Sequence, residues 1–341
     1  MKAALKRVIP ALLCFILLTG SSISAESFVQ SSRAREISQL IWTNQFDDAL
    51  DSSSSLLSTD STQLFGHLFL GITYYSICNQ YRTDRYVDLA TAQLDTTIAI
   101  ALTQTQLNPK LDDADLLFVL GSAYAFRAVL RGQFGGWWGA MKDGGRAAAS
   151  LGKAVAMDST LYDAYLGLGT YHYWKSAKAK HFAWLLFIKD RRKQGIQEIT
   201  RASLLGTITP MVAQRSLVVI YMNENRYSDA RTIADSILKV CPLDPVCLMY
   251  LAQSMLETKE WDNAEGVTNR LREQWQLSRF RDPCGIKEAD YLQARILLGR
   301  GQSAEAATLL ASILAAKDSC GSNAFYDETR DDAKSVSGLA Q

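Results

Sequence analysis

Apolar residues three and four positions apart recur in segments of about ten to fifteen residues along the whole chain, and no stretch alternates with period two for long enough to make a strand. A chain so patterned is expected to be helical throughout. Five of its six prolines, Pro109, Pro210, Pro242, Pro245 and Pro283, fall at the boundaries of these segments, where the missing N–H is tolerated. Residues 211–244 and 245–278 are adjacent 34-residue blocks in one register. The first carries Leu217, Val218, Tyr221, Tyr227, Ala230 and Ile237, and the second carries Leu248, Leu251, Ala252, Trp261, Ala264 and Leu271. Small residues fall where two helices of a hairpin approach, and large ones fill the space between neighbouring hairpins. A single hairpin cannot bury its apolar face, so the units are expected to stack.

The register continues elsewhere. Asn44 to Ala49 reads Asn-Gln-Phe-Asp-Asp-Ala, Leu70 and Gly71 precede Tyr74, Leu120 and Gly121 precede Tyr124, Leu168 and Gly169 precede Ala202, and a last copy has Ala294, Gly301, Ala306 and Ile313. Seven units start at residues 30, 64, 114, 162, 211, 245 and 287, so their spacings are 34, 50, 48, 49, 34 and 42 residues. The three central units carry extra chain, either as longer helices or as an inserted segment.

These residues resemble the tetratricopeptide repeat family over nearly all of residues 26–320. The resemblance implies an all-α, right-handed solenoid of stacked antiparallel helical hairpins, with insertions in the central units. It also implies a protein-binding scaffold that holds a partner segment on the concave face lined by the first helix of each hairpin. Carried onto this chain, that face is expected to include Phe65, Leu68, Tyr75, Phe118, Phe126, Leu166, Tyr173 and Trp174. A groove of this character suits an apolar or amphipathic segment.

The N-terminus carries Lys2, Lys6 and Arg7, then an apolar run from Val8 to Leu18, then small and polar residues ending at Ala25. That layout predicts a signal peptide over residues 1–25, and with it an exported protein, in the periplasm if the source is a diderm bacterium. Without those residues the chain has 33 bases against 35 acids, which offers no electrostatic reason to bind nucleic acid. Residues 321–341 are polar and are expected to form a poorly held tail.

No residue set with the spacing of a catalytic or metal site is present, and no cofactor is expected. His67, His172 and His181 stand alone in the repeat register, and Asp112, Asp113 and Asp115 precede a helix that a carboxylate would cap. Six glycines between Arg131 and Arg146 surround Trp137 and Trp138, a density that reads as a loop or broken helix with both indoles packed inward. The apolar run from Phe182 to Ile188, containing Trp184 and Phe187, is followed by Lys189, Arg191, Arg192 and Lys193. It reads either as a buried helix or as a segment that dips into lipid, in which case Trp137, Trp138, Phe182, Trp184 and Phe187 would dock a membrane-peripheral envelope protein.

The repeat register also suggests a pairing for four cysteines. Cys241 and Cys247 flank the tight link between two units, and Cys284 and Cys320 flank the last hairpin, whose antiparallel helices bring its ends together. Disulfides are expected at both places, leaving Cys78 as a buried thiol.

Overall fold

The computed structural model describes residues 28–58, 62–107, 113–134, 136–179, 189–320 and 323–338. The expected signal peptide, His181 and the aromatic positions Phe182, Trp184 and Phe187 lie outside the described residues. Among the described residues there are sixteen α-helices and no strand. They run α1 (Ser32–Trp42), α2 (Phe46–Ser55), α3 (Gln63–Tyr81), α4 (Val87–Leu107), α5 (Ala114–Gln133), α6 (Trp137–Met157), α7 (Ala164–Ala179) and α8 (Arg192–Leu205). Then follow α9 (Pro210–Asn223), α10 (Tyr227–Val240), α11 (Pro245–Glu257), α12 (Trp261–Leu277), α13 (Lys287–Gly299), α14 (Ser303–Ala315), α15 (Lys317–Cys320) and α16 (Ala324–Ser337).

Consecutive helices from α1 to α14 all touch, and the first helices also touch one another along α1, α3, α5 and α7 and along α9, α11 and α13. The chain is therefore a solenoid of seven stacked hairpins whose odd-numbered helices form the inner row. The same turn recurs inside the hairpins. Asn44, Arg82, Asn225, Lys259 and Gly301 each adopt a left-handed conformation between the two helices, with φ between 52° and 78°. In all five turns the next N–H closes back on a carbonyl five residues earlier: Gln45 on Leu40, Thr83 on Cys78, Arg226 on Tyr221, Glu260 on Met255 and Gln302 on Leu297, at 2.8–3.1 Å. Four of the five residues are not glycine, so each turn carries a local conformational cost that the stacking offsets.

The central units differ from the rest in two ways. Helices α3 to α6 are 19–21 residues long, against 10–14 in α1, α2, α9 and α10. The fourth unit instead places its extra chain between α7 and α8. The Leu-Gly pairs of the sequence have a packing reason. A Cβ at Gly71 would stand 2.8 Å from Leu94, one at Gly121 2.6 Å from Leu151, and one at Gly169 2.7 Å from Ile199. Each glycine makes room for an apolar side chain of the second helix, and Ala252 fills the corresponding position of the sixth hairpin, fully buried. Gly169 and Gly195 bring two backbones together, and a Cβ on either would lie 2.5 Å from the other's carbonyl oxygen. Gly195→Ala is expected to destabilise the protein by about 1–3 kcal/mol although alanine is the better helix former. Gly152→Ala and Gly266→Ala, with nothing within 4 Å of the new methyl, should instead stabilise by about 0.5–1 kcal/mol. Urea unfolding of the three variants checks the opposite signs.

Of the loop or broken helix expected from composition the second is found: Gly132 lies in α5, Gly136 stands at the break, and Gly139, Gly144 and Gly145 lie in α6. Helix α6 runs unbroken from Trp137, and its Gly144 lies against Tyr171. Asp143 in its second turn is fully buried and fixed by Arg127 through two hydrogen bonds of 2.8 Å, and by Arg131 at 2.6 Å. Tertiary packing and this charge-assisted clamp outweigh the weak local propensity.

The expected tail is also corrected. Residues 324–337 form α16, capped by Asn323, whose side chain accepts from the N–H groups of Phe325 and Tyr326. Phe325 and Tyr326 are buried, and the Tyr326 hydroxyl donates to the Ile313 carbonyl at 2.7 Å. Helix α16 packs on α13 and α14 as α11 packs on α9 and α10, so it covers the inner edge that the last hairpin would leave open.

The two ends of the solenoid meet. The turns of the first two hairpins rest on the links between the later ones, through contacts separated by more than 160 residues. The Trp42 indole donates to the Ile208 carbonyl at 3.0 Å, and the buried Trp275 indole donates to the Gln80 carbonyl at 2.6 Å. Arg215 donates to the Trp42 carbonyl and pairs with the fully buried Asp244, whose other oxygen caps α11 at the Cys247 N–H. Thr83 donates to Asp282, Arg85 donates to the Phe280 carbonyl, and Phe134 packs edge-on against Phe325. Apolar residues of α1–α7 and of α11–α13 consequently belong to one continuous core.

Candidate binding surfaces

The residues assigned to the concave face divide into two groups. Phe65, Tyr75, Phe126, Leu166 and Trp174 keep partial solvent contact, and the Tyr75 and Phe126 rings meet edge-to-face at 5.2 Å across α3 and α5. Leu68, Phe118 and Tyr173 are buried at 2 %, 3 % and 0 % exposure, so they are core rather than surface. Tyr173 ties the fourth hairpin to the fifth: its hydroxyl donates to Glu224 at 2.9 Å and accepts from Asn223 at 2.7 Å. An equivalent register position is thus covered wherever the neighbouring hairpin sits close, and left open where it does not.

The structure also forms a hollow of about 470 Å³ that the sequence register does not reveal. Its floor is α11, with Met249, Tyr250, Gln253 and Glu257, and its walls come from α13 and α16 and from the turn between α9 and α10. Arg82, from the turn of the second hairpin, reaches it across the closing contact. Arg82 binds Glu288 at 3.4 Å and Glu328 at 2.9 Å and lies over the Phe325 ring, 4.3 Å from its centroid. Burial opposes its charge, but the two carboxylates more than offset this and its pKa rises. Glu288 is buried and also accepts from Thr329 and Gln253. Asp332 stands at the rim with its carboxyl pushed up, by partial burial first and by Glu288 and Glu328 next. Burial likewise pushes the Tyr250 and Tyr291 phenols up to about 12. Phe325, Tyr326, Thr329 and Ala333 share one face of a capped segment, and that spacing was a readable sign of α16. Arg82 had no local sign, because its partners lie more than 200 residues away.

Neither tryptophan expected to pack inward is buried. Trp138 is 72 % exposed and Trp137 39 %, with Met141 beside them on the first turns of α6. They sit at the turn edge of the third hairpin, where the Phe134 ring meets Phe325 of α16. The two described histidines each bridge their own hairpin: His67 bonds Gln93 and His172 bonds Glu198, each at 2.7 Å. Asp113 caps α5 at the Leu116 N–H.

The cysteines settle differently from the expected two pairs. Cys284 and Cys320 form a disulfide with Cα atoms 5.5 Å apart, whereas Cys241 and Cys247 are free and buried, as is Cys78. Asp244 caps α11 between them and turns Cys247 into the apolar cluster of Val218, Ala230, Ala234 and Ile237. Cys241 points instead to the first hairpin, where its sulfur faces the Thr43 carbonyl at 3.8 Å. Burial raises the Cys78 thiol to about 12 and, with Asp244, the Cys241 thiol to about 11. Among the described residues no His, Cys, Asp and Glu group is arranged to hold a metal, and no helix is long and apolar enough to cross a membrane.

No family model matches the chain, and no curated protein aligns with it significantly. Among solved structures it is similar to yeast Tom70, with 14 % sequence identity and a TM-score of 0.42 over 90 % of this chain and 75 % of that one.

Proposed function

We propose that this chain is an exported scaffold that binds a segment of a partner protein on its inner face, without catalysis of its own. The observation that carries the reading is the 470 Å³ hollow on the inner row of helices, within the size range of ligand sites. Aromatic and thioether side chains, Tyr227, Tyr250, Tyr291, Met222 and Met249, line it, and such groups anchor bound segments. The partly buried pair Tyr75 and Phe126 extends the same inner row toward the N-terminal half. Export rests on the charged, apolar and small-residue order of residues 1–25 and agrees with the Cys284–Cys320 disulfide.

A second reading, docking on an envelope membrane, is favoured by the 72 % exposure of Trp138. The two are separated by placing a photo-crosslinking phenylalanine analogue at Tyr227, in the hollow, and at Ser236, on the outer row, in the native compartment. Protein-binding predicts one repeated adduct from position 227 and none from 236. Vesicle flotation that is lost in Trp137→Ser/Trp138→Ser protein, with no adduct at 227, would replace it with the membrane reading.

A further inference from the structure

The inner hollow has a charge and hydrogen-bond balance that selects its occupant. Four carboxylates, Glu257, Glu288, Glu328 and Asp332, line it against two guanidiniums, Arg82 and Arg295. Both cations are already engaged. Arg82 is held by Glu288 and Glu328 and covered by the Phe325 ring, and Arg295 is held by Glu257 at 2.9 Å. Among the described residues of the lining neither cation lacks a carboxylate partner, although Arg82 Nε itself donates to none. The acceptors are not used up. Asp332 has neither a hydrogen bond nor an ion pair with its side chain, and the hydroxyls of Tyr250 and Tyr291 have no hydrogen-bond partner among the described residues. Tyr291 is only 7 % exposed, so its ring is fixed in the core beside Leu310 and Tyr326 while its phenol belongs to the lining of the hollow. The Tyr291 hydroxyl oxygen is not itself buried, so it stays open on the lining of the hollow, where it can accept from an incoming donor.

We propose that the hollow receives a lysine or arginine side chain of the bound protein segment, its charged head between Asp332 and the Tyr291 hydroxyl. The tyrosine rings and the Met222 and Met249 thioethers form walls for the aliphatic stem, as amphipathic cations prefer. The inference rests on the protein-binding reading and adds the chemistry that selects the segment.

The test uses the full mature chain and a displayed library of short random peptides. Retained peptides should share a basic residue at one fixed position. For a labelled retained peptide, Tyr291→Phe and Asp332→Asn combined should raise Kd about tenfold or more, the loss expected for hydrogen bonds to a charged group. Asp235→Asn, which removes the same charge from the outer row, should leave Kd unchanged. Tyr291→Phe keeps the ring and its packing, so circular dichroism should match the parent. Retained peptides without a fixed basic residue would overturn this inference while leaving protein binding intact. Basic peptides that respond equally to Asp235→Asn, or not at all to the double variant, would also overturn it. A library from which nothing is retained removes both readings.

Discussion

Asp244→Ala is expected to lower the unfolding free energy by about 3–5 kcal/mol, the loss typical of leaving one partner of a buried ion pair uncompensated. Asp244 is fully buried and joins four hairpins. It pairs with Arg215 of α9, caps its own α11, and receives Gln80 Nε2 at 3.4 Å, while Arg215 also donates to the Trp42 carbonyl. Removing the carboxylate therefore strands a buried guanidinium at the place where the first turns of the solenoid meet the later links. Replacing both partners by apolar residues, Arg215→Met with Asp244→Leu, should cost less than the sum of the single changes, because no charge is then left unpaired. Denaturant unfolding of the four proteins measures the coupling. Hydrogen exchange should show the extra loss of protection in α1, α3 and α11 together. A double variant as unstable as the summed singles, or loss confined to α11, would mean the pair does not close the ring.

The second large effect concerns the disulfide. Replacing Cys284 and Cys320 by Ser is expected to cost about 4 kcal/mol at 25 °C, the chain-entropy value for their sequence separation of 36. The bond joins the link before α13 to the end of α15, and the same link carries Phe280 and Asp282, which hold the Thr83 and Arg85 turn. Loosening should thus spread from α13–α16 to the second hairpin. Peptide mapping of native protein under non-reducing conditions should recover Cys284 linked to Cys320. Cys78, Cys241 and Cys247 should react with an alkylating agent near neutral pH only after denaturation, since each is buried and its thiol is raised well out of that range. Alkylation of Cys241 or Cys247 in the folded protein, or a bond between them, would contradict the packing described above.

What could be read from the residues was whatever depends on neighbours in the chain. Helical period, proline punctuation, the small residues of the 34-residue blocks and the Leu-Gly pairs are local or semi-local quantities, and they were enough for an all-helical stack of hairpins. The Cys284–Cys320 pair was legible for the same reason, because two antiparallel helices return the chain to its starting edge. The candidate site was legible only in part. A register position names the face of a helix, which placed Tyr75 and Phe126 on the inner row. It carries no information on how closely the next hairpin approaches, so Tyr173 and Phe118 were assigned to a surface that packing covers.

The chain's own order of residues determined that it would form repeated hairpins, because helix period and close-approach residues act within a few turns of their own position. Tertiary structure alone decided that the two ends of the solenoid meet, that Arg82 and α16 enclose an acceptor-rich hollow, and that Trp138 stays exposed. Those outcomes depend on the curvature accumulated over several hairpins of unequal helix length. Small angular increments along a stack bring together Arg215 with Trp42, and Arg82 with Glu328, from positions more than 170 residues apart.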